Sequence, residues 1–212
     1  MHIAESAKMS ILDKITQREL DAAAVKHATF LKGVRGGART IFKFKDLSGL
    51  DFKGADFSQA DFTGSLLVNA NLARGTFRGV SFFACDMRGA SLEDANFSRA
   101  DFRGAFVAGA NLSGADLKEA DLREGKVMER DKQGVLQDKP RENMPEKVHK
   151  TVFTGAKLKE TNLSGARAMA ADFSDADLQG VIVKDADFSG ANFEGANLAD
   201  ADFTGTNLSD AN

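Results

Sequence analysis

The chain has 212 residues, of which 28% are charged and 42% are hydrophobic, and its formal net charge is −3. This slightly acidic balance argues against a protein that binds nucleic acid directly, because such proteins carry a basic surface. No apolar run approaches the ~18 residues of a membrane span, and the first ten residues lack the regions of a signal peptide, so we expect a cytoplasmic protein without a membrane segment.

Residues 1–40 differ in composition from the rest of the chain and predict one α-helix at about 17–32. Thr16 followed by Glu19 matches the capping-box pattern, and apolar residues then recur on one helical face up to Leu31. His27 lies on that face, which favours a packed histidine over a ligand. The following segment, GVRGGART, lacks the Lys-Ser/Thr ending of a phosphate-binding P-loop and favours a helix exit and turn.

Over 41–127 a large apolar residue returns at every fifth position, in 18 units from Phe42 to Val127. We call these positions centres. A small residue, usually Ala, stands two positions before each centre, Asp or Asn stands one before, and Gly often follows two after. A period of five fits neither a helix nor an ordinary strand, whereas Asp, Asn and Gly are turn residues. The pattern therefore predicts a backbone that turns a corner every five residues.

The frame breaks over 128–150, where both prolines of the chain occur and 11 of 23 residues are charged. Such a segment cannot pack a core, so we expect it to leave the repeat as an inserted loop. A functional loop and a tolerated insertion both remain open.

The repeat resumes one residue out of step at Phe153 and continues over 151–212 in 12 units. Ala168 stands at one centre beside Met169. The pattern leaves open whether the small alanine creates a dent in the interior or the methionine fills it.

The tandem motif A(D/N)(L/F)xx, as in ADFSQADFTG, ANLSGADLKEADLRE and ADFSGANFEGANLADADFTG, resembles the pentapeptide-repeat proteins over about 40–127 and 151–212. The resemblance implies an all-β solenoid, a right-handed quadrilateral β-helix with four pentapeptides per coil and the centres inside. Residues 20 apart should then stack, with Phe42, Phe62, Phe82 and Phe102 down one corner and Phe57, Phe77, Phe97 and Leu117 down another. An uncovered first coil would expose its edge and core, so we expect the 17–32 helix to cap it.

The sequence offers no catalytic, cofactor or metal site, and we expect a protein that is not an enzyme. The three histidines, His2, His27 and His149, share no metal-ligand spacing, and no serine elbow or paired cysteine motif occurs. The one cysteine, Cys85, stands at a small inward position, which favours a packed thiol. The repeated Asp residues are expected to serve as short hydrogen-bond acceptors in turns.

Five apolar residues stand at positions that should face water, and they are candidate partner contacts: Leu66, Val68, Phe83, Phe106 and Ile182. Leu66, Val68 and Phe106 lie on the coil face that leads to the insertion. Clustered outward apolar residues indicate either a docked protein partner or the insertion folding back. The leading prediction is a non-enzymatic protein-interaction scaffold with an unidentified partner.

A DNA-mimicking binder of DNA gyrase is the alternative, because the quinolone-resistance branch of the resembled family is similar to a DNA duplex in size and charge. Residues 151–212 carry 10 acidic and 4 basic residues. They should span about 14 Å of solenoid, over which duplex DNA carries about 8 charges. The candidate acidic surface comprises Asp172, Asp175, Asp177, Asp185, Asp187, Glu194, Asp200, Asp202 and Asp210.

The last residues, GTNLSDAN, continue the repeat without a capping helix. An open coil edge there predicts either a homodimer joined through the C-terminal coil or a natural chain that continues into a further domain.

Overall fold

The structure is a computed structural model that describes residues 12–212 apart from Lys53, Glu124, 126–127, 131–135 and 139–149, with the backbone alone at 128–130 and 136–138. Its regular elements are β1 (Asp13–Lys14), α1 (Gln17–Leu31), β2 (Lys45–Asp46), β3 (Met128–Arg130) and β4 (Leu136–Asp138). Strands β1 and β2 pair in parallel, and β3 and β4 pair in antiparallel. Among the described residues, no helix is long and apolar enough to cross a membrane.

Most of the chain is organised by parallel bridges between single residues 20 positions apart. They form four columns, which we number by their first residues: column 1 from Ile41, column 2 from Asp46, column 3 from Asp51 and column 4 from Asp56. Each coil therefore contains four pentapeptides, and every bridging residue stands one position before a centre. The predicted stacking of residues 20 apart is confirmed.

Each pentapeptide ends in a tight turn whose residues explain the sequence pattern. The Ala60 N–H donates to the Phe57 carbonyl oxygen three residues earlier, at 2.9 Å. The residue two after a centre has a positive φ, as at Gly64 (69°) and Asn69 (56°), which Gly and Asn adopt most readily. The Asp56 carboxylate accepts a hydrogen bond from the Ser58 N–H at 2.9 Å. The prediction that these Asp residues are turn acceptors is confirmed.

The centres fill the interior, where like residues stack on like. Rings of Phe62 and Phe82 lie 5.5 Å apart between centroids, and those of Phe82 and Phe102 lie 5.2 Å apart. The second predicted ladder also forms, since Phe77 and Phe97 stack at 5.2 Å. Both aromatic ladders are thus confirmed. Ala168 is fully buried while Met169 is 37% exposed, so the methionine side chain does not fill the interior beside it.

The insertion leaves and re-enters the coil at one corner. Phe106 bridges to Val152, 46 residues later, so the coil skips 26 residues at this point. The Thr151 hydroxyl lies 2.9 Å from the Arg123 carbonyl oxygen, which holds the two ends of the insertion together. Between them lie β3 and β4. Val127, which the five-residue frame assigns to the first tract, lies outside the described residues.

Helix α1 begins with the predicted capping box, which is confirmed. Thr16 is the N-cap, its side-chain oxygen accepts from the Glu19 N–H, and the Glu19 carboxylate accepts from the Thr16 N–H. Leu20 and His27 are the buried residues of the helix, at 1% and 0% exposure. His27 is therefore a packed residue, as predicted.

The segment before the first coil bonds to that coil's edge much as a preceding coil would. In column 2 the Ile15 N–H donates to the Asp46 carbonyl oxygen at 2.8 Å. In column 3 the Gln17 carboxamide replaces a backbone: its Nε2 donates to the Asp51 carbonyl oxygen, and its Oε1 accepts from the Asp51 N–H, both at 2.9 Å. One glutamine side chain thus satisfies both edge groups of Asp51.

Candidate interaction surface

Among the described residues, no group of three or more His, Cys, Asp or Glu side chains could hold a metal ion. Cys85 is fully buried, and its thiol donates to the Phe62 carbonyl oxygen at 3.0 Å. Ser65, at the same repeat position one coil earlier, donates to the Phe42 carbonyl oxygen. The cysteine therefore packs as a serine would, and its predicted role as a packed thiol is confirmed.

Three of the five predicted contact residues lie close together along column 2. Leu66 and Phe106 occupy the column itself, on either side of Asp86, and Val68 lies two residues after Leu66. All three are partly exposed. We call Leu66, Val68 and Phe106 the column-2 patch. Val152, the next residue of the column, is buried at 6% exposure, so the patch runs up to the point where the chain re-enters the coil.

An arginine covers part of this patch. The Arg88 guanidinium lies 5.3 Å from the centroid of the Phe106 ring, which is a cation–π geometry. The same guanidinium is held by the Asp86 carboxylate, with Nη2 2.6 Å from Oδ2, and this hydrogen bond raises the pKa of Arg88. Asp86 is only 1% exposed, so the ion pair is fixed in place. A partner that docks here would meet an aromatic ring and a fixed positive charge together.

Phe83 lies one corner away, beneath two groups of the chain itself. The Arg103 guanidinium lies 5.1 Å from the centroid of its ring. Gly125, three residues before the predicted start of the insertion at 128, is buried, and a methyl group there would come within 2.8 Å of the Phe83 ring and of the Arg103 carbonyl oxygen. The backbone at Gly125 therefore lies against Phe83.

Ile182 does not join the other candidates. It lies in column 4, which is not adjacent to column 2 in the order of the coil, and it is 40% exposed. Phe83 and Ile182 therefore lie on two other faces of the coil, apart from Leu66, Val68 and Phe106.

The nine candidate acidic residues surround the coil rather than lining one side. Asp187, Asp172, Asp177 and Asp202 stand in columns 1, 2, 3 and 4 respectively. Asp175, Asp185, Asp200 and Asp210 occupy turn positions with positive φ, one at each corner of the coil. Glu194 is exposed in the turn before Gly195.

Three of these carboxylates have lysine partners. Lys150, Lys159 and Lys184 place their Nζ atoms 3.0, 3.3 and 3.0 Å from carboxylate oxygens of Asp172, Asp177 and Asp202, respectively. Hydrogen bonds from Thr204 and the Lys184 ammonium lower the pKa of Asp202 to about 2. For Asp172, burial acts to raise the pKa, but hydrogen bonds from Ser174 and Lys150 outweigh it and the pKa is lowered. Both carboxylates are therefore ionised at neutral pH.

Comparison with known proteins finds one family. The family model described as "Pentapeptide repeat region" matches residues 55–131, and that described as "Pentapeptide repeats (8 copies)" matches 149–185 and 184–212. No match is found among curated proteins.

Three solved structures are among those similar to this chain. HetL, a pentapeptide repeat protein involved in heterocyst differentiation regulation from the cyanobacterium Nostoc sp. strain PCC 7120, is 21% identical, with 87% of this chain and 91% of that chain covered and a TM-score of 0.29. The protein alr5209 from Nostoc PCC 7120 is 25% identical, with coverages of 53% and 83% and a TM-score of 0.42. QnrB1, a plasmid-mediated fluoroquinolone resistance protein, is 20% identical, with coverages of 80% and 84% and a TM-score of 0.32.

Proposed function

The chain belongs to the pentapeptide-repeat family, and from that premise we propose that it is a non-enzymatic, cytoplasmic protein-interaction scaffold. We further propose that the coils form a right-handed quadrilateral β-helix and that α1 caps the N-terminal end of this β-helix. A rigid solenoid of this kind offers long outward columns on which single side chains can be exchanged without disturbing the interior.

The column-2 patch is the observation that carries this proposal. Positions before the centres hold mostly Asp, Asn, Ser or Thr, whereas Leu66 and Phe106 place partly exposed apolar side chains there. Apolar groups that stay accessible on a rigid surface mark interaction sites. Aromatic residues and arginines also dominate the binding energy of protein interfaces. The Phe106–Arg88 pair combines both residue types beside the insertion.

Phe106→Asp tests the patch. Asp already occupies column 2 at Asp46, Asp86 and Asp172, and the Arg88 guanidinium is placed to pair with a new carboxylate, so the coil should fold normally. We expect affinity for a captured partner to fall about thirtyfold, which corresponds to roughly 2 kcal/mol at an interface hot spot. Capture from a lysate of the source organism, followed by titration of the purified partner, measures the change.

Ile182→Asp is the matched control, because it also replaces an exposed apolar residue by Asp at the same repeat position, but in column 4. Binding should survive it. An equal loss of affinity in both variants, or no loss in either, would contradict the proposal that the column-2 patch binds the partner. A fall of several degrees in the melting temperature of Phe106→Asp would show that the ring is internal packing instead.

The DNA-mimic alternative rests on the acidic C-terminal coils. From Asp172 to Asn212 the chain carries nine acidic residues and one basic residue, Lys184, so a partner with a basic groove is favoured there. A gyrase supercoiling titration, with and without a quinolone, tests this idea. Inhibition or protection at low micromolar concentration that is lost when the four acidic turn residues become Asn would support it. No effect would exclude gyrase as the partner.

A homodimer through the C-terminal coil is part of the proposal. The centres from Leu47 to Leu122 are buried, whereas Leu198 and Leu208 are 39% and 41% exposed, so the last coil presents apolar surface that a second copy could cover. Light scattering at tens of micromolar tests it, and a monomer would reject this interface.

A further inference from the structure

His27 is enclosed between α1 and the first coil. Its ring is fully buried, and its centroid lies 5.5 Å from that of Phe57 in a stacked arrangement and 5.6 Å from that of Phe30. The contact joins the helix to an interior aromatic ladder. Any change in the ring's charge therefore acts directly on the surface that holds α1 against the coil.

Both ring nitrogens are committed to backbone groups. The Thr40 N–H donates to Nδ1 at 3.0 Å, so Nδ1 must be unprotonated, and Nε2 lies 2.9 Å from the Ser58 carbonyl oxygen, to which it donates. This arrangement requires the neutral ring with its hydrogen on Nε2. Protonation would place a second hydrogen on Nδ1, pointing at the Thr40 N–H. Two donors would then face each other where a hydrogen bond had been.

Two charged groups face the ring from the segments packed against it. Burial is the largest influence and lowers the pKa of His27, the Ser58 bond and the Asp56 charge on the first coil act to raise it, and the Arg39 charge in the connecting segment lowers it further. The net direction is downward. The docked helix therefore favours the neutral ring.

We propose that His27 is an acid-sensitive latch, whose protonation releases α1 from the first coil and uncovers the coil's edge. Release would free the Ser58 carbonyl oxygen and, because Gln17 begins the same helix, the N–H and carbonyl of Asp51. The latch goes beyond the proposed scaffold function and does not depend on it.

The sign follows from proton linkage. Above about pH 6.5 the ring is neutral in both the docked and the released state, so docking does not depend on pH. Below that pH the released state binds a proton that the docked state rejects, and docking weakens as the pH falls. The opening equilibrium should rise as the pH falls from about 7.5 to about 5.0, and the pKa of the released ring limits this rise to about thirtyfold.

Amide hydrogen exchange of the full chain tests the latch. After correction for the intrinsic pH dependence of exchange, amides of 17–31 should exchange faster at pH 5.0 than at pH 7.5, by no more than about thirtyfold. Amides of 62–122 should not change. His27→Gln, which keeps a donor and an acceptor but cannot titrate, should remove the pH dependence of the helix. Equal acceleration in the variant, or none in the wild type, would overturn the proposal.

A second measurement needs no variant. The chain has three histidines, so imidazole resonances can be followed by NMR, and that of His27 should titrate at lower pH than a free histidine. Exchange of the α1 amides should begin to accelerate near pH 6.5 and continue to accelerate as the pH falls toward the midpoint of the His27 titration. If His27 titrates without a change in helix exchange, protonation does not release the helix and the latch is wrong.

Discussion

At the scale of single residues, inward hydroxyl and thiol groups depend on the coil that precedes them. Cys85 and Thr161 each donate to the carbonyl oxygen of a centre one coil earlier, Phe62 and Leu112 respectively. Thr40 stands at the same repeat position, but no coil precedes it, and its hydroxyl has no hydrogen-bond partner within the described part of the chain. The missing hydrogen bond could not be predicted from the sequence, because Thr40 fits the repeat pattern as well as any other inward residue.

Thr40→Val should therefore stabilise the protein by about 1 kcal/mol, since it removes a buried, unbonded hydroxyl and keeps the shape of the side chain. Thr161→Val is the matched control and should destabilise by about 1 kcal/mol through the lost bond. Urea unfolding measures both free energies. Destabilisation by Thr40→Val would mean that its hydroxyl is bonded in solution.

At the scale of elements, α1 was predictable but its attachment was not. The capping box and the apolar face are local patterns, legible within about 16 residues of sequence. The bonds that attach the segment join Gln17 to Asp51 and His27 to Ser58, 34 and 31 residues apart. No periodicity links these pairs. A histidine on the buried face was evident, whereas the occupation of both its nitrogens required the fold.

Gln17→Ala tests the attachment of α1. The variant loses both hydrogen bonds to the Asp51 backbone, so we expect the helix to open more easily by about 1 kcal/mol, or roughly fivefold faster amide exchange over 17–31. Arg18→Ala, an exposed change on the same helix, should leave exchange unaltered. Faster exchange in both variants would indicate a general loss of helix propensity rather than loss of the edge contact.

At the scale of the whole molecule, the five-residue period predicts a backbone that turns every five residues, and the resemblance to pentapeptide-repeat proteins implies the 20-residue coil and the aromatic ladders. The same period extends the first tract to Val127, yet the structure places Val152 next to Phe106 in column 2. A periodic sequence shows that a frame continues, but not where the chain leaves the coil. The outward apolar residues could likewise be identified individually, whereas their separation around the coil depends on the column that each one occupies.

Deletion of 125–150 should preserve the fold. It removes 26 residues and joins Glu124 to Thr151, which restores the 20-residue spacing of column 2. Shortening the connection from 46 to 20 residues should favour folding by about 0.7 kcal/mol of closure entropy, offset by the lost contact of Gly125 with Phe83. The melting temperature should change by a few degrees at most.

Deletion of 128–150 is the comparison, because it leaves three extra residues at the corner. It should melt at a lower temperature than the 26-residue deletion. If the longer deletion unfolds the protein, the insertion supplies stability that the coil lacks.

The 46-residue spacing between Phe106 and Val152 also determines how the molecule would respond to a force applied at its two ends. Backbone hydrogen bonds join each coil only to the next, so a stretched rod should peel apart one coil at a time from an end. An ordinary coil frees 20 residues, about 70 Å of extended chain, whereas the coil that holds the insertion frees 46 residues, about 160 Å. In a single-molecule force trace, one step should be more than twice as long as its neighbours.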